Sequence, residues 1–128
     1  MLLIDSSAIV KFFSKEPGWE EVTKYIADSL TLSFAIVELS SALLKKVIKN
    51  ELQIDVAMKL VNEYSECAIL LNQNKYIRTA LKIAISNNLA IYDSLFIAAA
   101  LDEGYDLASV DGKQLKVAKN LGIKVIKC

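Results

Sequence analysis

Hydrophobic positions along the chain follow two rhythms that alternate. The short runs "MLLID", "TLSF", "CAILL", "DLASV" and "IKVIK" are too brief for helices and read as five strands. Between them lie longer stretches with apolar residues three and four apart. "SSAIVKFFSK" predicts a short helix with Ser6 or Ser7 as its N-cap, halted before Pro17. "GWEEVTKYIADSL" predicts an amphipathic helix with Trp19, Val22, Tyr25, Ile26 and Leu30 on one face. "AIVELSSALLKKVIKN" predicts a helix with an unusually apolar start and a lysine-rich end, which suits the macrodipole. "IDVAMKLVNEY" carries Ile54, Ala57, Met58 and Val61 as one helical stripe, and "KYIRTALKIAISNN" is a helix ended by its asparagine pair. "YDSLFIAAALDEG" reads as a buried helix with Gly104 just past its end, and "GKQLKVAKNLG" as a last amphipathic one. Strands alternating with helices imply parallel pairing and a sheet covered on both faces, so the fold class is a three-layer α/β/α domain.

Composition sharpens this reading. The 128 residues are enough for one domain with a real core, and residues 1–128 are read as that domain. Apolar residues make up 54%, beside only four glycines and one proline, which argues against disorder. No basic segment precedes the apolar run ending at Asp5, and Asp93 and Asp102 break the best apolar stretch short of the ~18 residues a bilayer requires. A cytoplasmic protein with no membrane partner is the expectation. Cys67 and Cys128 lack metal-ligand spacing and read as free thiols. Histidine is absent, which excludes Ser-His-Asp and Cys-His hydrolases and any histidine-ligated zinc. Carboxylates remain as metal ligands, and these suit Mg2+ or Mn2+. Fifteen basic residues balance fifteen acidic ones, so a nucleic-acid partner would need a local lysine patch.

Parallel sheets bind ligands beyond the carboxyl ends of their strands, near the switch in strand order. Asp5 ends the first strand, Asp111 follows the fourth, Glu38 lies early in the helix after the second, and Asp93 opens the helix feeding the fourth. Each has an ordinary explanation. Asp5 and Asp93 suit helix caps, Asp111 before Gly112 suits a turn or cap, and Glu38 could reach solvent on the polar side of its helix. Four acids at equivalent ends are harder to explain as unrelated caps. Two carboxylates ~4 Å apart repel by about 4 kcal/mol at an effective dielectric near 20, and a divalent ion reverses the sign of that term.

These residues carry a resemblance. "LLIDSSAIVKFF", "SFAIVELSSALLK", "IYDSLFIAAALDEGYDLASVDGKQL" and "GIKVI", in this order and at these spacings, resemble PIN-domain ribonucleases and, within them, the VapC toxins of prokaryotic toxin–antitoxin pairs. The resemblance spans essentially the whole chain, with Ser109 where the family often has Thr. It implies a sheet ordered 3-2-1-4-5, and Asp5, Glu38, Asp93 and Asp111 as an acidic quartet. It also implies Mg2+- or Mn2+-dependent endoribonuclease action on single-stranded or loop RNA, leaving a 5′-phosphate and a 3′-hydroxyl. A homodimer and a small antitoxin inserting a basic residue into the acidic site are implied as partners.

On this reading Asp5 and Asp93 contact the metal most directly, while Glu38 and Asp111 complete the shell or hold its waters. Ser6, Ser7 and Ser109 orient a carboxylate or a water, unless they only cap and turn. Lys11, Lys15, Lys45, Lys46, Lys49, Lys113 and Lys116 are candidates for a phosphate track. The Trp19, Val22 and Ile26 stripe is core by default and a dimer surface otherwise. A receiver-type signalling domain wants Asp at the end of the third strand, where "CAILLNQN" offers Asn72. A haloacid-dehalogenase-type phosphatase wants a second acid that "DSSAI" lacks. The runner-up is a non-catalytic PIN-like scaffold that binds RNA or protein.

Overall fold

The computed structural model describes residues 1–128. In chain order the elements are β1 (Leu2–Ile4), α1 (Ser6–Phe13), the one-turn α2 (Thr23–Ile26), β2 (Ser29–Leu32), α3 (Phe34–Ile48) and α4 (Ile54–Cys67). They continue with β3 (Ile69–Leu71), α5 (Ile77–Asn87), α6 (Ile91–Glu103), β4 (Asp106–Ser109), α7 (Gly112–Asn120) and β5 (Val125–Lys127). All strands pair in parallel, in the order β3-β2-β1-β4-β5, as the resemblance implied. The first strand made is therefore the central one, with Leu3 and Ile4 fully buried. Helices lie on both sides, and a single apolar cluster holds Leu3, Ile9, Leu39, Ile97 and Leu107 together.

Several local expectations are corrected. The N-cap of α1 is Asp5, not Ser6 or Ser7: its Oδ1 accepts from the Ala8 N–H at 3.0 Å. The helix read across "GWEEVTKYIADSL" is a 3-10 turn at Trp19–Val22 followed by the single turn α2. Leu30 is not on it. Pairing of Ser29 with Leu2 and of Leu30 with Leu3 draws that end into the sheet, a tertiary gain that overrides a helical spacing. Of the stripe, Val22 is fully buried and Ile26 packs against the core, whereas Trp19 is only half-buried.

The second strand accordingly starts earlier than "TLSF", and Ser33 and Phe34 belong to the start of α3. In α4 the buried face is Ala57, Leu60, Val61 and Tyr64; Ile54 and Met58, assigned to that stripe, point outward. Both spacings fit a helical period, and only the partner surface selects between them. Cover of the sheet ends at β3, where Ile69 and Leu70 are exposed. This edge strand has β2 as its only strand neighbour.

Helix α6 behaves as its sequence requires. Ser94 through Ala100 are all buried, so it is apolar all round and sits inside the molecule, packed on α5, α7, β1 and β4. Gly104 stops it at φ 72°, in the left-handed region where a Cβ is disfavoured. Asp93 does not cap it. The N-cap is Ala90, and Asp93 is the third helical residue, its carboxylate free to face elsewhere. No single helix is long and apolar enough to cross a membrane.

Candidate active site

In this strand order the switch point lies at β1 and β4, where connections leave in opposite directions. Asp5 stands at the carboxyl end of β1, held by its N–H to the Ala108 carbonyl across the ladder at 3.0 Å. Asp5, Ser6, Ser7, Glu38 and Asp93 line one cavity of about 310 Å³, with Val10, Glu16, Phe96 and Val110. Three of the four predicted acids thus meet, brought from β1, α3 and α6. A larger recess of about 710 Å³ around Val47–Asp55 is formed by the turn between α3 and α4, and none of the four acids lines it. The chemistry, not the volume, selects the smaller one.

Asp5 is 3% exposed. Ser7 Oγ donates to it across both oxygens (2.8 and 2.9 Å), and Ser109 Oγ reaches Oδ2 at 2.6 Å. Burial nevertheless dominates and pushes its pKa up to about 6, against the hydrogen bonds and with the help of the Asp93 charge. Glu38 is half-buried, and its Oε1 accepts from Ser6 Oγ at 2.6 Å. Its pKa is also raised, by burial first and the Asp93 charge last. Asp93 is raised by burial and by Asp111, with Lys113 opposing. It is the acid through which the others feel one another.

Asp111 stands slightly apart. It does not line the cavity, and its Oδ1 caps α7 by accepting from the N–H groups of Lys113 and Gln114 at 3.0 and 3.3 Å. No group of three or more Asp, Glu or Cys side chains is placed to hold a metal ion by itself. The donors nonetheless fit Mg2+ or Mn2+. They are hard carboxylate oxygens without thiolate or imidazole, and such ions are commonly held by one or two carboxylates, waters and substrate phosphates.

The serines divide as their positions dictate. Ser7 and Ser109 hold Asp5, and Ser6 holds Glu38. Much of the lysine track is already engaged. Lys11 donates to the Cys128 carbonyl at 3.1 Å, Lys46 lies 3.7 Å from Glu51, and Lys113 donates to the Asn88 carbonyl at 2.9 Å. Lys113 is the one whose charge reaches Asp93.

A family model described as PIN domain matches residues 2–120. The chain belongs to the PIN domain family. The crystal structure of PAE2754 from Pyrobaculum aerophilum is similar, with a TM-score of 0.76 at 20% identity over 97% of this chain and 89% of that one. The crystal structure of FitAcB from Neisseria gonorrhoeae gives 0.60 at 16% identity over 99% and 97%. Both likenesses show the fold. Among curated proteins nothing matches. PIN domains are generally nucleases, and they typically use divalent metal ions, so membership supports a hydrolase acting on nucleic acid.

Two polar residues of this PIN domain escaped the sequence reading. Glu16, just before Pro17, lines the cavity, and no spacing signals it. Gln114 is fully buried beneath the acids. Its signal was the "DGKQ" pattern, which fits an N-cap acid followed three residues later by Gln.

Proposed function

We propose that this PIN domain, taken as one unit over residues 1–128, is a Mg2+- or Mn2+-dependent endoribonuclease and the toxin of a VapBC-type pair. The observation that carries the reading is the meeting of Asp5, Glu38 and Asp93 around one cavity at the switch point, each with a raised pKa. Carboxylates so arranged are uncomfortable until a cation joins them.

Asp5 and Asp93 would hold the ion, with Glu38 and Asp111 at its flanks. When bound, the ion lowers the pKa of a coordinated water and neutralises charge on the scissile phosphate. The chain's own contribution is orientation. Ser7 and Ser109 fix Asp5, Ser6 fixes Glu38, and the Asp93 carboxylate, not used as a cap, is free for the cavity. Lys113 offers a cation beside Asp93 for an RNA phosphate. Hydrolysis would leave a 5′-phosphate and a 3′-hydroxyl. A cytoplasmic homodimer restrained by a small antitoxin with a basic residue for the acidic cavity completes the reading.

Asp93→Asn tests it. Metal-dependent RNA cleavage should vanish, while the fold persists and the metal-free protein melts slightly higher, because one source of repulsion is gone. Cleavage by this variant at the wild-type rate would refute the assignment. The placement of Asp111 as a cap, with no trio of acids ready for an ion, favours a second reading, a scaffold that binds RNA or protein without cutting. Melting with increasing Mg2+ or Mn2+ separates the two. A catalytic site shows metal-linked stabilisation that is lost in Asp5→Ala.

A further inference from the structure

Gln114 is a long polar side chain with no exposure at all, and such a group is retained in a core only when its amide is satisfied. In a capping box its side chain would return to the N–H of the N-cap residue. Here it does not. The Asp111 N–H donates instead to Ser109 Oγ at 2.9 Å, and the Gln114 carboxamide is turned inward. Its Nε2 donates to the backbone carbonyl of Asp93 at 3.0 Å, and its Oε1 faces Ser109 Oγ at 2.7 Å. The same Ser109 Oγ lies 2.6 Å from Asp5 Oδ2. Ser109 Oγ has one proton for these two acceptors, so Asp5 and Gln114 compete for it, and Ser109 itself is fully buried.

We propose that Gln114 is a positioning residue that clamps the first turn of α6 to the end of β4, and so sets where the Asp93 carboxylate stands relative to that of Asp5. The bridge runs Asp5, Ser109, Gln114, Asp93, and so links the end of β1 with β4, α7 and α6 through a single amide. No other side-chain hydrogen bond joins α6 to α7, and packing alone fixes distance less sharply than directed hydrogen bonds. The proposal rests on the nuclease reading for its consequence, because the clamped groups are the two acids assigned to the ion. Nothing else in the molecule holds Asp93 by its backbone from outside its own helix, whose N-cap is an alanine with no side chain to offer. Gln114 touches neither substrate nor ion; it acts through Ser109 and the helix start.

The test uses Gln114→Met, similar in length and unable to make either bond, and Gln114→Leu in case the first packs poorly. Thermal melting against Mg2+ and Mn2+ is measured beside cleavage kinetics, with wild type and Asp93→Asn as controls. A positioning role predicts an approximately tenfold higher metal concentration for half-maximal stabilisation and a fall in kcat with KM little changed. In the Ser109→Ala background, Gln114→Met should cost much less than alone, since half of the bridge is already gone. A variant that melts lower by the same amount at every metal concentration, with wild-type metal affinity and kcat, overturns the proposal and leaves Gln114 a packing residue. A wild-type chain that shows neither metal-linked stabilisation nor cleavage overturns the nuclease reading, and the proposal with it.

Discussion

Asp5 does two things at once, and they pull in opposite directions. As a cap it satisfies the start of α1, and as a buried anion it opposes folding. Raising its pKa from 3.8 to about 6 makes its ionisation about 3 kcal/mol costlier in the fold than in the unfolded chain. Between those values the native state keeps a proton the unfolded chain has released, so this residue's contribution falls as pH rises from about 4 through 6. Glu38 and Asp93, shifted the same way, add to that slope. Asp5→Asn removes the charge but keeps a capping side chain. Without metal, the melting temperature of the variant should pull ahead of wild type as pH climbs from 4 to 7, and Mg2+ or Mn2+ should close the gap by stabilising wild type. A gap independent of pH would remove burial of the Asp5 charge as the cause.

At the level of elements, Asp111 tests whether capping and chemistry can be separated. Serine caps about as well as aspartate, whereas alanine at such a position costs roughly 1 kcal/mol. Asp111→Ser should therefore melt close to wild type and Asp111→Ala lower, with cleavage reduced in both if the carboxylate serves the site. Full activity in Asp111→Ser would confine this acid to α7. The same element shows what could be read in advance. Strand and helix alternation, the apolar α6 and the acids at strand ends followed from periodicity and residue type. The short turns at Trp19–Ile26 and the outward Ile54 and Met58 did not, because several registers satisfy one helical spacing and the partner surface decides among them. The capping role of Asp93 failed for a related reason. Pattern places an acid within the first turn but does not say which residue is N-cap, and a shift of three positions changes its target. Gln114 was hidden because a capping-box pattern has a complete local explanation, and only the fold shows the amide spent elsewhere.

For the whole molecule, two rows of apolar side chains remain in water. Val37, Leu44 and Ile48 project from α3, and Ile77, Leu81 and Ile85 from α5, the last 75% exposed. Rows of this kind mark surfaces that pair. The homodimer proposed above should therefore sediment as two chains, and Leu81→Glu with Ile85→Glu should run as one while melting near the wild-type temperature. An unchanged sedimentation coefficient would place the contact elsewhere. The position of β1 has a consequence of another kind. Asp5 is translated well before the Ser109 whose hydroxyl holds it, 104 residues further along the chain. Pairing of β1 with β4 is correspondingly distant in sequence, and closure of so long a loop comes late. A nascent chain of this design cannot assemble the proposed site until β4 has emerged, because the middle strand of the sheet waits for a neighbour 104 residues further along.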